Sequence, residues 1–271
     1  MIMVSERLDL QELEWKRSTY VVSTKIFWGG KDVNETGLSM KHIMEGLQAS
    51  LGRLGLAYVD LVFCHRPDPD TPMEEIVRGM NLVIQQGKAF YWGTSEWPVE
   101  LIMEAWIVAR ELKLIGPAFE QPEYNLLTRD KVEREYLPLY KSFGLGLTTW
   151  SPLASGVLTG KYALDHVPAK SRFDLEKFQG RKEKVLKPEL FLKMKLLEPI
   201  AEELDCSLAQ LSLAWCIRNP HVSSVIMGAT NCEQVKENLG ALSIVEKLTP
   251  QILEKIETVV SSRPQPAPRY R

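Results

Sequence analysis

Short apolar runs alternate with segments of helical period from one end of the chain to the other. Apolar residues recur every three to four positions in the segments that follow these runs, as in helices with one buried face. The runs, which predict strands, span residues 20–25, 58–64, 89–93, 117–120, 146–150 and 222–227. Runs that are apolar on both faces are typical of parallel strands covered by helices. The pattern therefore predicts an α/β protein with a parallel sheet.

Residue types that begin helices stand between these runs. Ser39 is an N-cap residue type, and Thr249-Pro250 predicts the start of the last helix because proline suits the first helical position. Helices are also predicted over residues 74–86, 130–142, 192–204 and 232–242, and after the N-cap residue Ser207. The predicted buried face of the helix after the third strand consists of Leu101, Ala105, Val108 and Leu112.

A long polar segment, residues 161–190, interrupts the alternation. Connections of that length are usually functional or disordered. Where helical patterning resumes, Pro199 is expected to kink or split the helix, because proline lacks the backbone donor that a helix interior needs. The tail, residues 263–271, is rich in proline and arginine and is expected to be disordered.

Composition limits the classes of protein that the chain can belong to. Of the 271 residues, 45% are hydrophobic and 25% charged, as in ordinary soluble proteins. A net charge of −2 gives no electrostatic reason to expect nucleic acid or an acidic membrane as a partner. The four cysteines lie far apart without a Cys-x-x-Cys pair, so neither a metal site nor a disulfide framework is predicted. Without a secretory signal or an apolar stretch of about 20 residues, a cytoplasmic location is expected.

Ionisable side chains stand where two of the predicted strands end. Lys25 ends the first strand and His65 directly follows the second. An apolar strand that delivers one ionisable side chain at its carboxyl end is how a parallel barrel presents catalytic groups. The ordinary alternatives are a lysine that reaches solvent and a histidine that stabilises the turn 66–69. The remaining histidines have no such context and are expected at the surface: His42, His166 and His221.

The number of predicted strands leaves the kind of sheet open. A doubly wound sheet would be the usual arrangement for six strands, but no Gly-x-Gly-x-x-Gly segment follows any of them. A (β/α)8 barrel needs eight βα units, and only six can be counted.

The strand ends, taken together, resemble the aldo-keto reductases, which are NADPH-dependent (β/α)8 barrels. The similarity is closest to the branch that contains the β subunits of voltage-gated potassium channels. It rests on residues 22–28, 58–69 with their His-Arg-Pro-Asp-Pro segment, 91–97, 120–125, 149–156, 160–162, 228–230, 233–234 and 237–238. These segments occur in the family's order over residues from about 13 to 260. Together they identify the family far more specifically than any one segment would.

The resemblance begins only around residues 11–18. In the family, the first two βα units supply a catalytic aspartate and the tyrosine that donates the proton, and no upstream segment here matches them. We therefore expect an N-terminally truncated (β/α)8 barrel that lacks roughly its first two βα units, formed as one domain by residues 1–262.

The resemblance implies catalytic roles for Lys25 and His65. In the family, the lysine lowers the pKa of the tyrosine and the histidine orients the carbonyl group of the substrate. His65 could also replace the missing acid, because the ordinary pKa of histidine lies near 6.5. We expect carbonyl reduction to be impaired, because loss of a positioned acid costs about 10²–10⁴-fold in rate.

The resemblance also implies a binding site for NADPH. Trp150 would stack against the nicotinamide ring, Ser95 and Gln121 would hold its carboxamide, and the long segment would fold over the phosphates. The implied cofactor-binding residues are Trp28, Ser95, Gln121, Trp150, Ser151, Pro152, Leu153, Ala154, Ser155, Lys161, Ser171, Arg172, Gly228, Thr230, Gln234, Glu237 and Asn238. Taken singly, Trp150 is as consistent with a barrel wall, and Lys161 and Arg172 with solvated charges. Many family members carry arginine where Gln234 stands, which leaves the choice between NADPH and NADH open.

Two functions of different classes follow from the resemblance. One is reduction of a small aldehyde or ketone with NADPH, which the histidine at position 65 favours. The other is a cytosolic regulatory subunit that senses NADPH and docks on a potassium channel at the membrane face, which overall similarity favours. A homotetramer would follow from the family alone, and an unstable fragment with neither function is the third interpretation.

Overall fold

The computed structural model describes residues 14–163, 166–169 and 171–266. The start of the family resemblance at residues 11–13 and the end of the tail at 267–271 therefore lie outside the described residues. The rest of the tail has no regular secondary structure, although Arg263 forms ion pairs with Glu254 and Glu257.

The described residues contain the parallel sheet that the apolar runs predict. Its strands follow one another in the order β1 to β6, and the residue pairings from β1 through β5 are all parallel. The strands are β1 (Ser23–Ile26), β2 (Val59–Cys64), β3 (Ala89–Ser95), β4 (Phe119–Gln121), β5 (Gly146–Thr149) and β6 (Val222–Val225). The prediction of an α/β fold with a parallel sheet is confirmed.

Helices alternate with the strands. They are α1 (Met40–Leu54), α2 (Met73–Gln85), α3 (Val99–Glu111), α4 (Leu137–Phe143), α5 (Gln179–Val185), α6 (Pro188–Glu203), α7 (Leu208–Ile217), α8 (Cys232–Leu239) and α9 (Pro250–Val260). The two predicted caps form, because the side chains of Ser39 and Ser207 accept hydrogen bonds from the first turns of α1 and α7. The last helix starts where predicted, and the side chain of Thr249 caps it in the same way. Within the described chain, none of the helices is both long and apolar enough to cross a membrane.

The predicted helix over 130–142 is two elements. A single π-helical turn over Lys131–Glu135 precedes α4. The long segment 161–190 also differs from a loop, because it contains short 3₁₀ turns, α5 and the start of α6. Pro199 lies inside α6 and does not split it. A helix can continue past proline when packing of its apolar face outweighs the lost hydrogen bond, and Leu197 and Ile200 beside it are buried.

One expectation about burial was right only in part, and another was wrong. The buried residues of α3 are Ile102, Ala105 and Ala109, so Ala105 is the one buried member of the predicted set. Leu101, Val108 and Leu112 are only half-buried. His42 is not a surface residue but is 6% exposed, since its ring lies against Gly29 and Gly46, which carry no side chains.

Contacts divide the chain into two compact units. The first unit consists of the described chain up to Pro122 together with Tyr136–Thr148, and the second of Glu123–Glu135 and the chain from Thr149 onward. The first has a core around the sheet that includes Ile43, Val62, Phe63, Met80 and Trp92. The core of the second includes Leu126, Leu158, Leu197, Leu211 and Ile256.

Candidate active site and cofactor site

In the first unit, neighbouring strands present polar side chains at their carboxyl ends. Cys64, Thr94 and Glu120 are aligned across β2, β3 and β4. One residue further, His65 follows β2, and Ser95 is aligned with Gln121. The parallel register therefore brings these side chains to one edge of the sheet.

Hydrogen bonds hold this edge together. The hydroxyl of Ser95 donates to the backbone oxygen of Gln121 at 3.0 Å, and the amide of Gln121 donates to the hydroxyl of Thr148 at 3.2 Å. The backbone N–H of His65 donates to the oxygen of Ile26 at 2.9 Å. Ser95 and Gln121 are 2% exposed, so their orientations are fixed by packing as well as by hydrogen bonds.

Lys25 is half-buried on β1 and does not simply extend into solvent. Its ammonium group lies 5.2 Å from the centre of the Phe63 ring. Burial, and then the positive charge of Arg66, lower the pKa of Lys25 to about 8. The ammonium group is thus the main form at neutral pH, but it loses its proton far more readily than an exposed lysine.

His65 is held neutral by its surroundings. Burial, followed by the positive charges of Lys25 and Arg66, lowers the pKa of His65 to about 4. A neutral imidazole can donate one hydrogen bond and accept another, which suits it to orient a carbonyl oxygen. It cannot supply a readily released proton at neutral pH, so the structure does not favour His65 as a substitute acid.

The lowered pKa of His65 predicts a change of stability with pH. The pKa of His65 is about 4 in the folded chain and 6.5 for an ordinary histidine, so the unfolded chain binds more protons between these pH values. The stabilisation from neutral His65 is therefore fully present above pH 6.5 and is lost as the pH falls toward about 4. His65→Asn should flatten this part of the curve of unfolding free energy against pH, measured by urea denaturation.

The same substitution at an exposed histidine, His166→Asn, is the control for this measurement. It should leave the shape of the curve unchanged. A His65→Asn curve that parallels the wild-type curve between pH values of about 4 and 6.5 would contradict the burial of His65 in its neutral form.

In the second unit, the chain after β5 adopts an unusual backbone. Ser151, Ala154 and Ser155 have φ angles of 58°, 46° and 62°, in the left-handed region that these residues rarely enter. The segment is nevertheless fixed, because the amide of Asn125 donates to the oxygen of Ser151 at 3.0 Å. Just before it, the backbone oxygen of Trp150 accepts from Tyr124 at 3.2 Å. Backbone strain of this kind is concentrated at ligand sites.

Three serine hydroxyls in this unit are buried without a hydrogen-bond partner among the described residues. They belong to Ser151, Ser155 and Ser171. Buried polar atoms are nearly always hydrogen-bonded, so a group of unsatisfied hydroxyls is consistent with a polar ligand.

Two cations lie near these serines: Arg172 directly follows Ser171 in the chain, and the side chain of Lys161 lies beside Gly156, the residue after Ser155. Burial, followed by the nearby positive charge of Arg172, lowers the pKa of Lys161. The two cations are therefore close enough to repel each other. Neither forms an ion pair with a carboxylate of the described chain. Gly156, with φ of 93°, leaves room for Lys161, since a Cβ there would lie 2.9 Å from its Cε. Hydroxyls and paired cations are the groups that phosphate oxygens require, so these residues fit the phosphates of a dinucleotide.

The connection from β6 into α8 and the helix α8 itself hold the remaining predicted residues. Asn231 caps α8 by accepting from the backbone of Gln234 at 2.9 Å, and the side-chain oxygen of Gln234 accepts from the backbone of Thr230 at 2.8 Å. Gly228 and Glu237 are exposed, whereas Asn238 is 6% exposed. The turn is thus preorganised at a helix N-terminus, which favours negatively charged ligands.

The structure therefore groups most of the predicted residues within each unit. Lys25, His65, Ser95 and Gln121 share the sheet edge of the first unit. Trp28 stands apart from that edge, 64% exposed in the connection after β1, with its ring against Phe27. In the second unit, Pro152 is buried and Leu153 half-buried between the serines of the strained segment.

Two carboxylates of the first unit were given no role from the sequence. Glu120 is wholly buried on β4. Asp68 accepts from the backbone of Leu38 at 2.6 Å and from the hydroxyl of Thr71 at 2.8 Å, and so joins the connections that follow β1 and β2. A signal for Glu120 was available, since an acidic residue in a buried strand needs hydrogen-bond donors around it.

Comparison with known proteins agrees with this geometry. A model of the Aldo/keto reductase family matches residues 5–261. A probable voltage-gated potassium channel subunit beta from Oryza sativa subsp. japonica is 58% identical over 97% of this chain and 80% of its own length. A protein of the same description from Arabidopsis thaliana is 55% identical over the same shares.

The family match extends over nearly the whole described chain, and the relatives align over almost all of it. The parallel sheet with its alternating helices is consistent with this match. The chain belongs to the aldo/keto reductase family.

Proposed function

We propose that the chain binds NADPH and reduces the carbonyl group of a small aldehyde or ketone. The observation that carries this proposal is the group of unsatisfied buried hydroxyls on Ser151, Ser155 and Ser171, accompanied by Lys161 and Arg172. Membership of the aldo/keto reductase family supports an oxidoreductase. The identity of the cofactor and the roles of these residues are our proposal.

Four residues at or near the carboxyl ends of β1 to β4 would act on the nicotinamide end and on the substrate. Bound NADPH supplies a hydride to the carbonyl carbon. Ser95 and Gln121 would hold the carboxamide and so fix the face of the ring, and neutral His65 would donate a hydrogen bond to the carbonyl oxygen. The ammonium of Lys25 would stabilise negative charge that develops on that oxygen.

A second function is favoured by the names of the relatives. Both are described as probable channel β subunits, at 58% and 55% identity. Under this proposal the chain is a regulatory subunit that binds NADPH as a redox signal and associates with the cytosolic domain of a potassium channel. It would then be a cytosolic protein held at the membrane face by its partner, with a homotetramer as its assembly.

Three measurements on the same sample test these functions. Quenching of tryptophan fluorescence by NADPH should show saturable binding, and its absence in a folded sample would refute the cofactor proposal. Oxidation of NADPH with 4-nitrobenzaldehyde should be detectable if the chain is an enzyme. Binding to the isolated cytosolic domain of a plant potassium channel, without turnover of any aldehyde, would favour the regulatory function over the enzyme.

A further inference from the structure

Glu120 lies at the centre of a buried hydrogen-bond network behind the sheet edge. Its side chain is 0% exposed. It accepts a short hydrogen bond from the hydroxyl of Thr94 and one of 3.3 Å from the backbone N–H of Trp97. The carboxyl group thereby joins β4 to the end of β3 and to the chain just beyond it.

Tyr136 completes the network from another part of the chain. It is fully buried, and its hydroxyl donates to the backbone oxygen of Trp97 at 2.6 Å, while lying 3.5 Å from Glu120. Both backbone groups of Trp97 are therefore held by buried side chains. Glu96, between Ser95 and Trp97, has a φ of 62°, so the chain turns sharply at this point and needs such support.

The network controls the two residues proposed to hold the nicotinamide carboxamide. Ser95 stands between Thr94 and the turn at Glu96, and Gln121 directly follows Glu120. If the Glu120 side chain moved, Thr94 and Trp97, which lie before and after Ser95 in the chain, would lose their hydrogen bonds to it. The strand that carries Gln121 would then be held less firmly. Positions of this kind, held to within fractions of an ångström, decide how well a reactive ring is oriented.

We propose that Glu120 is a positioning residue, which orients Ser95 and Gln121 for the nicotinamide end of the cofactor without touching it. This inference rests on the proposed function. It concerns only the nicotinamide end, because Ser95 and Gln121 are the residues proposed to hold the carboxamide of that ring. A disturbance of the network should therefore affect ligands with a nicotinamide ring and spare those without one.

The test compares two ligands on the same protein. NADPH contains the nicotinamide ring, and 2′-phospho-ADP-ribose keeps the phosphates and the adenosine but lacks the ring. In Glu120→Gln, the ratio of the NADPH dissociation constant to that of 2′-phospho-ADP-ribose should rise about tenfold, the effect of about one lost hydrogen bond. The dissociation constant of 2′-phospho-ADP-ribose should stay within about twofold of the wild-type value.

A second variant guards against failure of Glu120→Gln to fold. Thr94→Val keeps the β-branched shape of the side chain and removes only the hydroxyl that donates to Glu120. It should raise the same ratio in the same direction.

Asn81→Ala is the matched structural control. Asn81 is 4% exposed in the first unit and bonds to Ile115 through both its amide and its oxygen at 2.9 Å. Its loss should lower the unfolding temperature but leave the ratio unchanged.

An unchanged ratio in both Glu120→Gln and Thr94→Val would overturn the positioning role, and so would an equal loss of affinity for both ligands. Equal wild-type affinities for NADPH and 2′-phospho-ADP-ribose would overturn it as well, while nucleotide binding itself would stand. If the folded wild-type chain binds neither ligand, the proposed function fails, and the inference fails with it.

Discussion

Reversing the charges of Lys161 and Arg172 together should weaken NADPH binding by about 10²–10⁴-fold. A charge-assisted hydrogen bond contributes roughly 1.5–3 kcal/mol, and the double variant loses two of them. It also places two carboxylates where phosphate oxygens are expected, which adds repulsion. The measurement is the NADPH dissociation constant from fluorescence titration at about 0.15 M ionic strength, where distant charges are largely screened.

Lys177→Glu is the matched control for this charge reversal. Lys177 lies in the same segment, and its ammonium is 5.2 Å from the centre of the Phe178 ring, which Arg172 approaches at 5.6 Å. The control variant changes the net charge as Arg172→Glu does, but should alter the dissociation constant by no more than about twofold. Equal weakening by Lys177→Glu and Arg172→Glu would show a general field effect, and an unaffected double variant would refute phosphate binding at this segment.

The elements at the sheet edge could be predicted because their signals are local. An apolar run followed by one ionisable residue places that residue at the carboxyl end of a strand, and Lys25 and His65 stand there. Caps at Ser39, Ser207 and Thr249 depend on side chains a few positions from the backbone groups they satisfy, and all three form. Interactions of this kind can be recognised in the sequence, because their partners are only a few residues apart.

The features that could not be predicted depend on distant parts of the chain. On α3, the sequence pattern identified Ala105, but only the packed structure shows that Ile102 and Ala109 are buried instead of Leu101 and Val108. His42 is buried because two glycines lie against its ring. The buried network around Glu120 includes Tyr136, which lies 16 positions away in the chain and comes close to Glu120 only after folding.

The ion-pair network around Arg129 is a further case of distant partners. Arg129 is 7% exposed and binds both oxygens of Glu133, at 2.9 and 2.7 Å. It also binds Glu257 on α9 at 2.5 Å, 128 positions away, and its guanidinium lies 5.0 Å from the centre of the Trp215 ring. The network thus joins the loop after β4 to α7 and α9 within the second unit.

This network should also respond to pH. Burial opposes ionisation of Glu257, but hydrogen bonds from Arg129 and the backbone of Arg263 outweigh it and lower the pKa below the ordinary value of 4.5. Because the folded chain holds this proton less tightly than the unfolded chain, the stabilisation is present above 4.5 and is lost as the pH falls further.

We expect Arg129→Met to lower the free energy of unfolding by about 3–5 kcal/mol, because it leaves two partly buried carboxylates without their cation. Urea denaturation above pH 6 would measure the change. Lys255→Met is the control, since Lys255 pairs with Glu203 on the surface, where both side chains are about half exposed. Loss of this pair should cost less than about 1 kcal/mol.

The triple variant Arg129→Met, Glu133→Gln, Glu257→Gln should recover much of the lost stability, because no buried charge remains uncompensated. Equal costs for Arg129→Met and Lys255→Met would contradict the buried network, and a triple variant no more stable than Arg129→Met would show that the cost comes from lost packing against Trp215.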